Sequence, residues 1–115
     1  MHELSIVFTI ADRVREIAEK NNAAHVESVT LQIGEVSSVV NSYLEDCWQW
    51  NAARTPLLKD CRLIIEPIPA VTLCEDCQQL YHTVQHGRIC PYCGSKSTYL
   101  IQGNETNIKS IAVTE

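Results

Sequence analysis

Two Cys-x-x-Cys pairs, Cys74-Glu75-Asp76-Cys77 and Cys90-Pro91-Tyr92-Cys93, constrain this chain more than any other feature. They lie twelve residues apart, within a stretch (70–104) that holds few large aliphatics. A segment this short cannot bury enough apolar surface to fold alone. A bound metal is the usual substitute for the missing core. In each CxxC loop both sulfurs can reach one tetrahedral ion, so Cys74, Cys77, Cys90 and Cys93 make a four-coordinate structural zinc site. Gly87 suits a turn between the pairs and Gly94 the tight loop after Cys93. The same thiolates suit an iron–sulfur cluster, which would be coloured. A redox CxxC would occur once, beside a βαβ pattern. His82 and His86, between the pairs, read as exposed loop side chains; the alternative is a role on the metal or in sensing pH.

The remaining composition narrows the class. At 115 residues there is room for one domain, or a small domain with a satellite. No apolar run is long enough to span a bilayer. The acidic N-terminus, with Glu3 and no basic stretch, is not a secretory signal, which points to the cytoplasm. There six cysteines favour thiols and metal over disulfides. Cys47 and Cys61, which stand outside any motif, read as buried small hydrophobes, and His25 as a surface residue. The net charge of −5 argues against nucleic acid as a partner. Within 70–104, Arg88 and Lys96 only balance Glu75 and Asp76, whereas a nucleic-acid-binding ribbon should be basic. No nucleophile–base pair with an orienting residue is evident, so the chain does not read as an enzyme.

Outside the cysteine region the periodicities are those of an α/β domain. Leu4, Val7, Phe8, Ala11, Val14 and Ala18 recur at helical steps, predicting an amphipathic helix over about 4–21 that ends at Asn21-Asn22. Residues 26–33 alternate, with Val29, Leu31 and Ile33 on one side, and stop at Gly34. Ser42 and Glu45 have capping-box spacing ahead of a helix over about 42–54, with Leu44, Cys47, Trp48 and Ala52 on one face. Residues 62–66 read as a second strand closed by Pro67 and Pro69, and 107–114 as a third. The expected fold is α/β: a small three-stranded sheet packed by two helices, with an inserted zinc-ribbon-like module. The domains would be 1–69 plus 105–115, discontinuous, and 70–104, with hinges near Pro67–Ala70 and Gly103-Asn104. Such a discontinuous domain is compatible with strand exchange between protomers in a homo-oligomer.

Met1-His2-Glu3 adds a second metal motif. The Met1 amine, the His2 backbone nitrogen and the His2 imidazole can close two adjacent chelate rings. The backbone nitrogen or carboxylate of Glu3 would fill the fourth corner. Planar nitrogen-rich donors suit Ni(II) and Cu(II). Three residues are a short motif, and the competing reading is a histidine that merely follows the first methionine.

Together these pieces resemble the HypA/HybF family of hydrogenase nickel-incorporation proteins. The resemblance runs from Met1-His2-Glu3-Leu4-Ser5 through Gly34-Glu35-Val36-Ser37, Val39 and Glu66-Pro67. It then takes in the two CxxC pairs, Cys93-Gly94-Ser95, Gly103-Asn104-Glu105 and Ile108-Lys109-Ser110-Ile111, and so spans nearly the whole chain. It implies a nickel metallochaperone with Ni(II) as transient cargo at Met1, His2 and Glu3, and structural Zn(II) on the four cysteines. It also implies a HypB-type nickel GTPase and the [NiFe]-hydrogenase large subunit as partners, with urease as a further client in some members. One departure is the second helix, where Cys47, Trp48 and Trp50 stand in a region that is often phenylalanine-rich. The alternative function class is a zinc-ribbon nucleic-acid-binding or regulatory adaptor protein.

Overall fold

The computed structural model describes residues 3–114. In chain order the elements are α1 (Glu3–Lys20), β1 (His25–Gly34), α2 (Asn41–Ala52), a 3-10 turn (Pro56–Leu58), β2 (Arg62–Ile68), β3 (Val71–Cys74), β4 (Leu80–His82), α3 (Thr83–His86), β5 (Thr98–Gln102) and β6 (Thr106–Thr114). They form two three-stranded sheets, ordered β2-β1-β6 and β4-β3-β5. The chain divides into two compact units. The first contains residues up to 32, 39–66 and 107 onward; the second contains 33–38 and 67–106. The segment 33–38, assigned from sequence to the first domain, thus groups with the cysteine region, and the divisions fall two or three residues from the expected ones.

In the first unit, α1 buries Val7, Ile10, Ala11, Val14 and Ala18. Leu4 and Phe8, expected on that face, are exposed; the inward stripe is centred on Ile10 and Ala11. The helix closes in a Schellman motif. Asn22 takes φ 54°, Ala23 N–H bonds to Ala18 O at 2.9 Å and Asn22 N–H to Glu19 O at 3.2 Å, which satisfies carbonyls that a helix end leaves bare. Strand β1 buries Val29, Leu31 and Ile33, as its alternation predicts, and also Val26 and Ser28, which lie on the opposite parity. Helix α2 contributes Leu44, Trp48 and Ala52 to the same interior. Trp48 is fully buried, and its indole N–H donates to Cys61 O at 3.1 Å, so the largest core side chain leaves no stranded polar atom. Burial of each large aliphatic side chain here contributes about 1.5–3 kcal/mol.

The capping box expected at Ser42 and Glu45 does not form. Helix α2 starts earlier, with Val40 as its N-cap residue and no side-chain cap from that residue. The Val40 amide is instead met by Glu3, whose Oε2 accepts it at 3.1 Å.

In the second unit β3 is the central strand, antiparallel to β4 and to β5, with a bulge between Val71 and Thr72 on the β5 side. The segment after β1 is held by backbone pairs: Gly34 N–H to Glu105 O, Glu35 N–H to Ile68 O and Val36 N–H to Gly103 O, all between 2.8 and 2.9 Å. Glu35 Oε1 also accepts the Ala70 amide at 2.9 Å. Glycine is required here. A Cβ on Gly34 would stand 2.0 Å from Gly103 O, and one on Gly103 would stand 2.4 Å from Ala70 Cα. The connections 67–70 and 103–104, expected from composition to be hinges, are thus hydrogen-bonded to Glu35 and Val36.

Candidate metal centre

The four cysteines occupy two loops of one geometry. Cys74 ends β3; Gln78 N–H bonds back to Cys74 O at 2.8 Å and Cys74 N–H to Gln79 O at 3.0 Å. In the second loop Gly94 N–H bonds to Cys90 O at 2.9 Å and Cys90 N–H to Ser95 O at 3.0 Å. The residue after each second cysteine takes positive φ: 63° at Gln78 and 74° at Gly94. Glycine marks that position in the sequence at 94; at 78 a glutamine occupies it, its side chain donating to Glu75 O at 2.6 Å.

These loops bring the ligand atoms of Cys74, Cys77, Cys90 and Cys93 within 4.8 Å of one another. Cys74 Sγ lies 3.6 Å from Cys93 Sγ, and Cys77 Sγ 3.6 Å from Cys90 Sγ. Zinc–thiolate bonds of about 2.3 Å in a tetrahedron require sulfur–sulfur edges of about 3.8 Å. The donor set therefore fits a Zn(II) ion in chemistry, number and spacing. All six cysteines of the chain are free thiols.

The surroundings offer little apolar interior. The buried cluster of this module is Cys74, Tyr81 and Cys90, with Cys77 packed against it. Leu80, Val84, Ile89 and Tyr92 are more than half exposed. Most of the interior is thus candidate ligand, and a metal held by these four cysteines would take the place of an aliphatic core. Tyr81 fills the rest and donates its hydroxyl to Gly87 O at 2.9 Å. Gly87, at φ 64° and ψ −132°, adopts a conformation open to glycine.

The thiols are not equivalent before loading. Burial opposes ionisation of Cys90, but the Tyr92 and Cys93 amides donate to its sulfur and hold it down at about 7. The Ser95 amide favours the Cys93 thiolate; against it, the adjoining Cys74 sulfur and burial push Cys93 up to about 12. Cys77 is pulled down by the Gln79 amide, yet burial and the neighbouring sulfurs leave it raised. Of these three thiols only Cys90 is lowered.

His82 and His86 are exposed, and among the described residues the four-ligand cluster contains no histidine. His86 packs edge-on against Tyr81, with ring centroids 5.9 Å apart. Cys61 is buried as expected, and burial pushes its thiol up to about 11; Cys47 is half-buried. His25 is half-buried, its Nε2 2.6 Å from Lys59 O. Of the nickel motif, Met1 and His2 lie outside the described residues, and Glu3 is the buried first residue of α1.

Comparison with known proteins gives the site its context. The family model described as "Hydrogenase/urease nickel incorporation, metallochaperone, hypA" matches residues 1–113. The chain belongs to the HypA family. Relatives include the hydrogenase maturation factor HybF of Klebsiella pneumoniae, 37% identical over 111 residues, covering 96% of this chain and 97% of that protein. The hydrogenase maturation factor HypA of Chlorobium phaeobacteroides (strain BS1) is 34% identical over 113 residues, covering 98% and 99%. The solution structure of the Ni metallochaperone HypA from Helicobacter pylori superposes with a TM-score of 0.73 at 28% identity, covering 99% of this chain and 98% of that one. A HypA family member of this length and architecture is a nickel metallochaperone of hydrogenase maturation. The family places it with the hydrogenase maturation machinery, and no described helix is long and apolar enough to cross a membrane.

Proposed function

We propose that this chain binds one Ni(II) through the Met1 amine, the backbone and imidazole nitrogens of His2, and Glu3, and delivers it to the large subunit of a [NiFe]-hydrogenase. A HypB-type GTPase is its nickel-handling partner, and the setting is the cytoplasm. The protein acts by holding and transferring metal, with no catalytic residues of its own.

The full-length family match is the observation that supports this reading most. The position of Glu3 refines it. The Glu3 carboxylate is engaged by the Val40 amide, which favours the Glu3 backbone nitrogen over the carboxylate as the fourth nickel donor. A chelate of few donors selects nickel by planarity and still releases it. The amine and amide donors must lose protons to bind, so affinity falls as pH drops. Copper prefers the same donors, so discrimination between the two rests on metal supply or on the loading partner.

Cys74, Cys77, Cys90 and Cys93 would hold Zn(II) as a structural ion. Four protein ligands leave no open coordination position for chemistry. The nickel-binding part is taken as 1–69 plus 105–115 and the zinc-binding part as 70–104, with 33–38 grouping by contact with the latter.

Replacing His2 with Ala tests the assignment. The variant is expected to lose stoichiometric nickel binding by isothermal titration while retaining one zinc per chain. Unchanged nickel affinity would sink it.

A further inference from the structure

The second unit contains four carboxylates, Glu35, Glu75, Asp76 and Glu105, and two cations, Arg88 and Lys96. The charges are segregated. Both cations, eight residues apart on either side of the second CxxC loop, line one recess of about 460 Å³, and none of the carboxylates does. Among the described residues neither cation is paired with a carboxylate. Thr72, Thr83, Thr98 and Tyr99 also line the recess. Thr72 is buried, and its Oγ1 lies 2.6 Å from Thr83 Oγ1. One hydroxyl hydrogen closes that bond, which leaves the other to donate elsewhere. The Thr98 hydroxyl donates to Arg88 O at 2.7 Å, tying the Arg88 backbone to β5.

We propose that this recess binds a phosphoryl anion. A planar carboxylate is satisfied by one guanidinium fork. Two cations from separate segments, with a hydroxyl donor from the Thr72–Thr83 pair, suit an anion with more oxygens in a tetrahedral array. The volume is that of small-molecule sites, roughly 300–1,000 Å³. Tyr99, half exposed on the wall, offers a ring against which a nucleoside base could stack. Because Arg88 and Lys96 flank Cys90 and Cys93, the site is organised by the same loop that would hold the metal. The inference is independent of the nickel reading.

The test is an NMR titration of the zinc-loaded full chain with sodium pyrophosphate and, separately, ADP at fixed ionic strength, with zinc content measured throughout. Saturable shifts are expected at the Thr72, Thr98 and Tyr99 amides. Arg88→Gln and Lys96→Gln, both at exposed positions, should each weaken binding about tenfold or more, as loss of a charge-assisted hydrogen bond does, with one zinc retained. Tighter binding of ADP, with the difference abolished in Tyr99→Leu, would identify a nucleotide; equal affinities would identify the free phosphoanion. Absence of saturation with both probes, or unchanged affinity in the Arg88→Gln/Lys96→Gln double variant, would overturn the proposal. So would binding confined to a single-stranded oligonucleotide with a steep salt dependence, which would make this a nucleic-acid face.

Discussion

Oε2 of Glu3 accepts the backbone amide of Val40 at 3.1 Å, so the first described residue of α1 caps the start of α2. In a capping box the third residue of a helix reaches back to its own N-cap amide. Here a carboxylate from a different helix does this, and its charge also faces the positive end of the α2 dipole. The residue immediately after His2 is thereby fixed to the fold.

Glu3→Ala removes that acceptor and should lower stability by about 1–2 kcal/mol, the usual cost of a lost helix cap. Glu3→Gln retains an acceptor and should lose less than half as much. Urea denaturation of the two variants checks the order. If the backbone nitrogen is the fourth nickel donor, Glu3→Gln should also bind nickel within a few-fold of the parent.

Gly34→Ala places a methyl 2.0 Å from Gly103 O, where the obstacle is backbone and cannot rotate away. Loss of about 3 kcal/mol or more is expected, at or beyond the upper end for overpacking. Gly103→Ala should be at least as damaging, since it adds a φ of 121° to its clash with Ala70. Denaturation midpoints near that of the parent would refute the tight crossing.

Metal loading should release protons, and their number should depend on pH. At pH 8 the Cys90 thiol, near 7, is already mostly ionised, whereas Cys93, near 12, must still give up its proton. Below pH 7 Cys90 must do so too. Zinc affinity should therefore fall as pH falls, with a slope that steepens by about one proton on passing below pH 7. Calorimetry in buffers of different ionisation enthalpy counts the protons directly; a constant count from pH 6 to 8 would contradict a lowered Cys90 thiol.

Glu66 on β2 is linked to β1 and β6 together. Lys109 Nζ stands 2.6 Å from Glu66 Oε2, and Gln32 Nε2 donates to Oε1 at 3.4 Å. These bonds, with Lys109 the larger contributor, hold the Glu66 carboxyl below its ordinary value. The folded-state value is lowered, so the contribution to stability is present above the ordinary carboxylate range and is lost as pH falls through the folded value. Lys109→Met should flatten the acid limb of the stability profile, by a small and salt-sensitive amount because the pair is exposed. An unchanged acid limb would show that Glu66 owes its shift to something else.

The sequence is legible where one period dominates. The alternation of β1 and the step pattern of α1 predict their spans to within a residue or two, because a regular apolar period runs through most of each element. The cap of α2 is not legible, because Val40 is the N-cap residue and its amide partner, Glu3, lies 37 residues away; local spacing at Ser42 and Glu45 cannot reveal it. The second sheet has no periodic signature. Its strands β3, β4 and β5 are four, three and five residues long, and their interior is mostly sulfur. The cysteine cluster itself is plain from spacing. The positive φ at Gln78 was not, because glutamine gives no hint of it where glycine does at 94. Glu35 was visible only as part of a family-like string, and its bond to the Ala70 amide appears only in three dimensions.

The most direct test of the central claim compares the native chain, with the Met1 amine free, against a version carrying one extra N-terminal residue. Each is titrated with nickel while zinc content and visible absorption are followed. The account predicts one nickel on the native form alone, with a square-planar absorption band and the zinc undisturbed. Equal nickel binding by both forms would place the site elsewhere, at other histidines or in the zinc module, and would contradict the N-terminal chelate.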